Sequence, residues 1–248
     1  MGYLLSVGWV VMLLCLSMPG QGVAAEVVEN TLLREPEKLF SITRGARLYD
    51  NWYHELELRT PKKRHVSYPE SAAFAHKAKE HWRCKECHGW DGLGKDGQYG
   101  QGRHQTGIKG IQQMRGANSA AVVAILTDAK HGYGERMPPE ALQDLAAFIS
   151  GGQVEMARYL EPQSGKCKMG DVVKGKSYYL TLCSQCHGTE GISRGMPIVG
   201  KAAIKEPWLV LHKTLHGHPG SGMVGLRALG MDITMDLMSY MQTLPTQR

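Results

Sequence analysis

Hydrophobic positions recur at helical spacing through much of the chain, and they predict an all-α protein. The segment NSAAVVAILTDAKHG predicts a helix capped by Asn118 or Ser119 and closed at Gly132. The next segment, EALQDLAAFISGG, predicts a further helix that carries Leu145 and Phe148.

A second set of segments repeats this order later in the chain. EPWLVLHKTLHG predicts a helix that ends at Gly217, because glycine is a common C-cap residue. DITMDLMSYMQTLP predicts an amphipathic helix with Leu237 and Tyr240 on one face, and Pro245 stops it. The chain therefore contains two copies of one helical pattern.

Each copy also offers a first helix that can cross its last one. In the second copy, Gly175 and Tyr179 lie four residues apart, so a small residue and an aromatic one share a helix face. In the first copy, RGARLYDNW has Gly45 and Tyr49 at the same spacing, but Cys84 lies 39 residues beyond Gly45. Either this segment is the first helix and a long insertion follows it, or SAAFAHKAKEHW replaces it. We favour the insertion.

The amino-terminal 25 residues contain no Lys, Arg, Asp or Glu. Their apolar run is followed by PGQGVAA, which predicts a secretory signal, residues 1–25, cleaved near Ala25, and a periplasmic protein. An uncleaved anchor is the alternative, although the run is short and interrupted for a membrane span. No later segment is apolar enough to span a membrane.

Charge adds little to this picture. Lys and Arg exceed Asp and Glu by six among 248 residues, which favours an acidic partner surface. No nucleic-acid-binding motif is present in the sequence, so we expect no nucleic-acid partner.

The candidate chemistry lies in two five-residue segments, CKECH and CSQCH, each followed by glycine. Cys-x-x-Cys-His is the attachment sequence of c-type haem, in which both sulfurs bond covalently to haem and the histidine binds iron. A redox dithiol or half a zinc site is the alternative, but the βαβ context of the former is absent. The predicted haem-binding residues are Cys84, Cys87 and His88 for one haem, and Cys183, Cys186 and His187 for the other.

With these motifs in its helical pattern, each copy resembles a class I cytochrome c domain. The resemblance covers about residues 41–150 and 171–245, and the whole is similar to periplasmic dihaem cytochromes built from two such domains in tandem. It implies a first domain at 26–155, a linker at 156–170, a second domain at 171–248, and two covalently bound haem c groups.

The resemblance also implies a methionine ligand to each iron. For the first haem, RMPPE places Met137 like the family's Met-Pro before the last helix. Met114, His104 and His131 are competitors. We expect His131 to cap the C-terminus of its helix, where a cation is favourable. No proline lies between His88 and Met137, so the His88 imidazole must be oriented by some other carbonyl.

For the second haem, Met223 follows the helix and precedes the final helix, although Val224 replaces the family's proline. Met196 has the Met-Pro pair but lies only nine residues after His187. The resemblance implies a proline at this place whose carbonyl orients the proximal imidazole, so we assign that role to Pro197. Three histidines remain alternative ligands: His212, His216 and His218.

Two His/Met-ligated irons favour electron transfer over catalysis, because a filled coordination sphere leaves no open position for substrate. The expected partners are other redox proteins as donor and acceptor, with transient docking to a membrane complex. The alternatives are a dihaem oxidoreductase, resembling a thiosulfate dehydrogenase or peroxidase, and the cytochrome subunit of a larger dehydrogenase. Cys167 bears on this choice, since it can be an incidental thiol, part of an intermolecular disulfide, or an iron ligand.

Overall fold

The computed structural model describes the backbone of residues 21–248 and the side chains from residue 35 onward. The predicted signal, residues 1–25, lies almost entirely outside the described residues. Contacts divide the chain into two units, Met1–Glu37 and Lys38–Arg248. In the first unit, the described residues are helical.

The described part of the chain is helical and contains no β-strand, which confirms the all-α prediction for these residues. Two isolated bridges, Gly94 with Lys109 and Leu160 with Cys167, join loops. Within residues 21–248, the ten α-helices are α1 Gln21–Glu55, α2 Ala78–His81, α3 Cys84–His88, α4 Ser119–Leu126, α5 Pro139–Ala147, α6 Val172–Leu182, α7 Ser184–His187, α8 Val199–Lys205, α9 Pro207–His216 and α10 Met231–Met241. Short 3-10 turns occupy Gly102–His104, Gln112–Met114, Met156–Arg158 and Arg227–Leu229, and Phe148–Gly152 forms a π turn after α5.

The same helix crossing occurs twice, and a glycine makes each crossing possible. A methyl group on Gly45 of α1 would clash with the Asp144 carbonyl of α5. A methyl group on Gly175 of α6 would clash in the same way with the Asp236 carbonyl of α10. The first helix of the first copy is therefore the one that carries Gly45, and residues 56–83 form the insertion that we favoured.

Two hydrophobic cores lie in the unit of residues 38–248. The first core surrounds the crossing of α1 and α5 and includes Tyr49, Trp52 and Leu145. The second core surrounds the crossing of α6 and α10 and includes Tyr179 and Leu237. Trp90 and Tyr99, which follow the first motif, pack in the second core, so the loop after that motif connects the two halves.

Most predicted helix ends agree with the structure, but α4 is shorter than expected. The Asn118 side chain accepts a hydrogen bond from the Ala120 backbone N–H at 2.8 Å, so Asn118 is the N-cap. At the other end, α4 stops at Leu126 because the Asp128 carboxylate accepts from the backbone N–H groups of Lys130 and His131 at 2.9 and 2.8 Å. His131 therefore lies in a loop. Our expectation that it would cap the C-terminus of the helix is wrong.

Candidate functional site

The first Cys-x-x-Cys-His segment forms the short helix α3, and its end is held by a tyrosine. Gly89 follows the histidine with a left-handed φ of 77° and donates its N–H to the Lys85 carbonyl at 2.9 Å. The hydroxyl of Tyr49 donates to the Gly89 carbonyl at 2.6 Å. The Gly94 N–H donates to the carbonyl of His88 at 2.8 Å, so the backbone turns sharply after the histidine.

The second segment has the same local structure. Gly188 has a φ of 77°, as Gly89 does, and its N–H donates to the Ser184 carbonyl at 2.8 Å. The hydroxyl of Tyr179 donates to the Gly188 carbonyl at 3.0 Å. The Ser193 N–H donates to the His187 carbonyl at 3.1 Å. Thus both motifs are attached to their helix crossings through an equivalent tyrosine.

The cysteines of both motifs are unbridged. Cys84, Cys87, Cys183 and Cys186 are free thiols in the described residues. Burial raises the pKa of Cys84 and Cys87 to about 12 and that of Cys183 to about 11, since an apolar environment disfavours the thiolate. Cys84, Cys87 and Cys183 are therefore protonated thiols at neutral pH, and each pair of cysteines lies in one turn of chain.

The two motif histidines differ in how they are oriented. His88 donates from Nδ1 to the Lys109 carbonyl at 2.8 Å, which supplies the non-proline carbonyl that the sequence requires. Burial lowers the pKa of His88 to about 4, so its ring is neutral at pH 7. Nδ1 of His187 is buried and has no partner in the described structure. The expected bond from His187 to the Pro197 carbonyl is therefore not formed.

The two residues between the first pair of cysteines are buried, which the sequence did not suggest. The Lys85 ammonium contacts the Glu86 carboxylate at 2.6 Å, and Nδ1 of His104 contacts the same carboxylate at 2.8 Å. Burial alone would raise the pKa of Glu86, but the bonds to His104 and Lys85 outweigh it and lower the pKa to about 2. His104, one of the competing ligands, is therefore engaged with Glu86.

The insertion covers the first motif. Trp82, directly before the motif, donates from its indole N–H to the Lys63 carbonyl of the insertion at 2.8 Å. The indole of Trp52 donates to the Trp82 carbonyl at 2.7 Å, and the His65 ring contacts the Trp82 ring edge-on at 4.4 Å. The second motif has no such cover, and its Cys186 is exposed.

The two predicted methionine ligands occupy different environments. Met137 is buried in the first core, in the cluster that also contains Cys84 and Tyr133. Met223 is partly exposed in the loop after α9, where its N–H donates to the Ser221 hydroxyl at 3.3 Å. Met114 is partly buried against the first core. Both methionine assignments remain predictions.

His212 and His216 lie between the two halves. His212 is buried on α9 and its Nε2 is 3.0 Å from the Ala46 carbonyl of α1. His216 is buried one turn later, and its ring contacts the Phe148 ring edge-on at 5.6 Å. Since both rings pack against the first half, they lie at the interface between the two halves.

Asp50 joins both halves to the first motif. Its carboxylate, 1% exposed, contacts the Arg83 guanidinium and the Lys213 ammonium, both at 2.5 Å. Arg83 precedes Cys84, and Lys213 lies on α9. Burial would raise the pKa of Asp50, but the two cations outweigh it and hold the pKa well below its usual range.

Cys167 is partly buried against the second core, and its backbone N–H donates to the Gln242 side chain at 3.1 Å. Burial raises the pKa of Cys167, which disfavours the thiolate that an iron would need.

Comparison with known proteins identifies no relative, since no protein-family model and no curated protein matches the chain. Within the described residues, no group of three or more His, Cys, Asp or Glu side chains is arranged to hold a metal ion by itself. None of the described helices combines the length and apolar character that a membrane crossing requires.

Proposed function

We propose that the chain is an exported dihaem c-type cytochrome that passes single electrons between redox proteins in the periplasm. Cys84, Cys87 and His88 hold one haem, and Cys183, Cys186 and His187 hold the other. Met223 is the expected sixth ligand of the second iron. Bound haem supplies a one-electron Fe(III)/Fe(II) couple.

One observation carries this proposal, namely the recurrence of one framework around both motifs. Tyr49 and Tyr179 bind the glycine after each histidine, and Gly45 and Gly175 allow each tyrosine's helix to cross the last helix of its copy. A tight helical turn that holds two unbridged thiols and a histidine fits the attachment of a planar group along one edge. A zinc half-site or a redox dithiol would not require a histidine directly after the second cysteine in both copies.

The residues fit haem c chemically as well. Thioether formation consumes a thiol, and the motif cysteines are unbridged. Iron coordination needs a neutral imidazole with one free nitrogen, and His88 provides this because its Nδ1 already donates to a backbone carbonyl.

The first test counts covalent haems. The full chain is produced in a periplasm with a haem-attachment system, and its intact mass and pyridine haemochrome spectrum are measured. We expect two haems per chain, one in Cys84→Ala/Cys87→Ala and one in Cys183→Ala/Cys186→Ala. Cys167→Ser is the matched control and should keep two. A secreted, folded chain without covalent haem would refute the proposal.

The second test separates an electron carrier from an oxidoreductase. We expect reductive titration of the dihaem protein to take up two electrons per chain. We also expect the reduced protein to bind no carbon monoxide, because both irons are six-coordinate. Carbon monoxide binding at one haem of the untreated protein would favour the oxidoreductase.

A further inference from the structure

A second histidine ring lies close to the histidine of the first motif. The ring centroids of His88 and His131 are 6.4 Å apart, and the ring planes differ by 21°. His131 lies in the loop between α4 and α5, which is distant from the motif along the sequence.

This separation is the one expected of two imidazoles on one metal. A metal–imidazole bond is about 2.0–2.1 Å long, and five-membered rings with bonds of about 1.33 Å have a radius of about 1.1 Å. Two imidazoles bound on opposite sides of one ion therefore have centroids about 6.2–6.4 Å apart. The other near-parallel ring pairs of the described residues lie closer, Tyr68 with His81 at 4.0 Å and Tyr99 with His104 at 4.4 Å.

Both rings also carry the hydrogen bonds that are typical of metal-ligating histidines. A ligating imidazole usually donates its other N–H to a backbone carbonyl or a carboxylate. Nδ1 of His88 donates to the Lys109 carbonyl at 2.8 Å, and Nδ1 of His131 donates to the Asp128 carboxylate at 3.0 Å. In both rings Nε2 is left as the nitrogen with a lone pair.

The chain around His131 is fixed from two sides. Asp128 accepts from both the backbone N–H and the ring of His131, which ends α4 early and turns the loop. From the insertion, Nε2 of His65 contacts the His131 carbonyl at 3.0 Å, and the Ser67 hydroxyl donates to the Lys130 carbonyl at 2.6 Å. The insertion therefore has a structural purpose, because it holds the loop that carries His131.

Met137 and His131 lie in different settings. Met137 is buried in the first core, in the cluster that also contains Cys84 and Tyr133, whereas the side chain of His131 is 28% exposed in the loop after α4.

We propose that His131, and not Met137, is the sixth ligand of the iron held by His88, so that the first haem has two histidine ligands. This assignment rests on the proposed function. Met137 is then a core residue that packs beside Cys84 and Tyr133. Because methionine raises the reduction potential relative to a second nitrogen ligand, the first haem has a lower potential than a His/Met haem in the same pocket.

The test uses the dihaem protein and three variants: Met137→Leu, His131→Gly and His131→Met. Electron paramagnetic resonance and near-infrared magnetic circular dichroism count the low-spin haems and the methionine–iron bonds. We expect Met137→Leu to keep two low-spin haems with unchanged potentials. His131→Gly converts one of the two haems to high spin, and added imidazole restores it. His131→Met raises the potential of one haem only.

The exposed His76, outside this pair, provides the matched control, and His76→Gly should change neither spin state nor potential. The assignment is overturned if His131→Gly leaves both haems low-spin, or if Met137→Leu converts one haem to high spin. Should His131→Gly fail to assemble, the result for Met137→Leu decides alone. Wild-type protein without covalent haem would instead refute the proposed function, and this assignment with it.

Discussion

Replacing Gly175 by alanine tests the helix crossing on which the second motif depends. A methyl group at this position would lie against the Asp236 carbonyl of α10, well inside van der Waals contact, and 2.9 Å from Cβ of Tyr240. The neighbours are backbone and a Cβ atom, so no flexible side chain can move aside, and α6 and α10 must separate.

Two opposing effects set the magnitude. Overpacking of a close contact costs about 1–3 kcal/mol, and the upper end applies here because backbone must shift. Alanine gains about 1 kcal/mol of helix propensity over glycine. We therefore expect Gly175→Ala to lower the free energy of unfolding by about 2 kcal/mol, or a factor of about 30 in the folding equilibrium.

The measurement is guanidinium unfolding of the full-length protein, followed by far-ultraviolet circular dichroism. Gly151→Ala is the matched control, because the nearest atom to a methyl group there is Cδ1 of Ile42 at 4.0 Å. Gly151→Ala should leave the free energy of unfolding unchanged. The reasoning fails if Gly175→Ala is no less stable than Gly151→Ala.

Three further outcomes follow from the hydrogen bonds and ion pairs. Tyr179→Phe should lower the free energy of unfolding by about 1 kcal/mol, because it leaves the Gly188 carbonyl without its hydroxyl donor. An equal loss in Tyr178→Phe, measured by the same unfolding assay, would contradict this. Asp50→Asn should lower the free energy of unfolding by about 3 kcal/mol, since it leaves Arg83 and Lys213 beside a neutral side chain. A loss no larger than that of Asp96→Asn, a change at an exposed carboxylate, would argue against the ion-pair account. Because the pKa of Asp50 is lowered on folding, its stabilisation is complete above its unfolded value of about 4 and is lost as pH falls towards the folded value. Unfolding titrations between pH 6 and 2 should show a weaker pH dependence in Asp50→Asn than in the wild type, and identical slopes would refute the linkage.

Local patterns in the sequence predicted much of the helical framework. The cap at Asn118, the end of α9 at Gly217 and the use of Gly45 and Tyr49 in the first helix are all confirmed. These features depend on one helix or on one pair of crossing helices, so residue spacing is enough to reveal them. The spacing of Gly45 and Tyr49 was informative because both residues contact backbone carbonyl groups. Such contacts do not depend on which side chain the partner residue carries.

The features that the sequence did not predict depend on residues distant along the chain. The early end of α4 had a local signal in Asp128, but helix periodicity continued past it and suggested a longer helix. The ion pairs of Asp50 join α1 to Arg83 and to Lys213, which is 163 residues away. The nearness of His131 to His88 likewise depends on how the insertion packs, and no spacing rule describes that.

The two Cys-x-x-Cys-His segments show where local sequence stops determining structure. Both form a short helix, end at a glycine with the same φ and receive a tyrosine hydroxyl, because these features need only the motif and its first helix. Their surroundings differ because residues 56–83 cover the first segment, while nothing separates α6 from the second segment in the chain. Two haems held by such equivalent motifs would then differ in solvent access and in available ligands, which are the properties that set reduction potential. The repeat therefore predicts one attachment chemistry, and the insertion would make the two sites unequal for the proposed electron transfer.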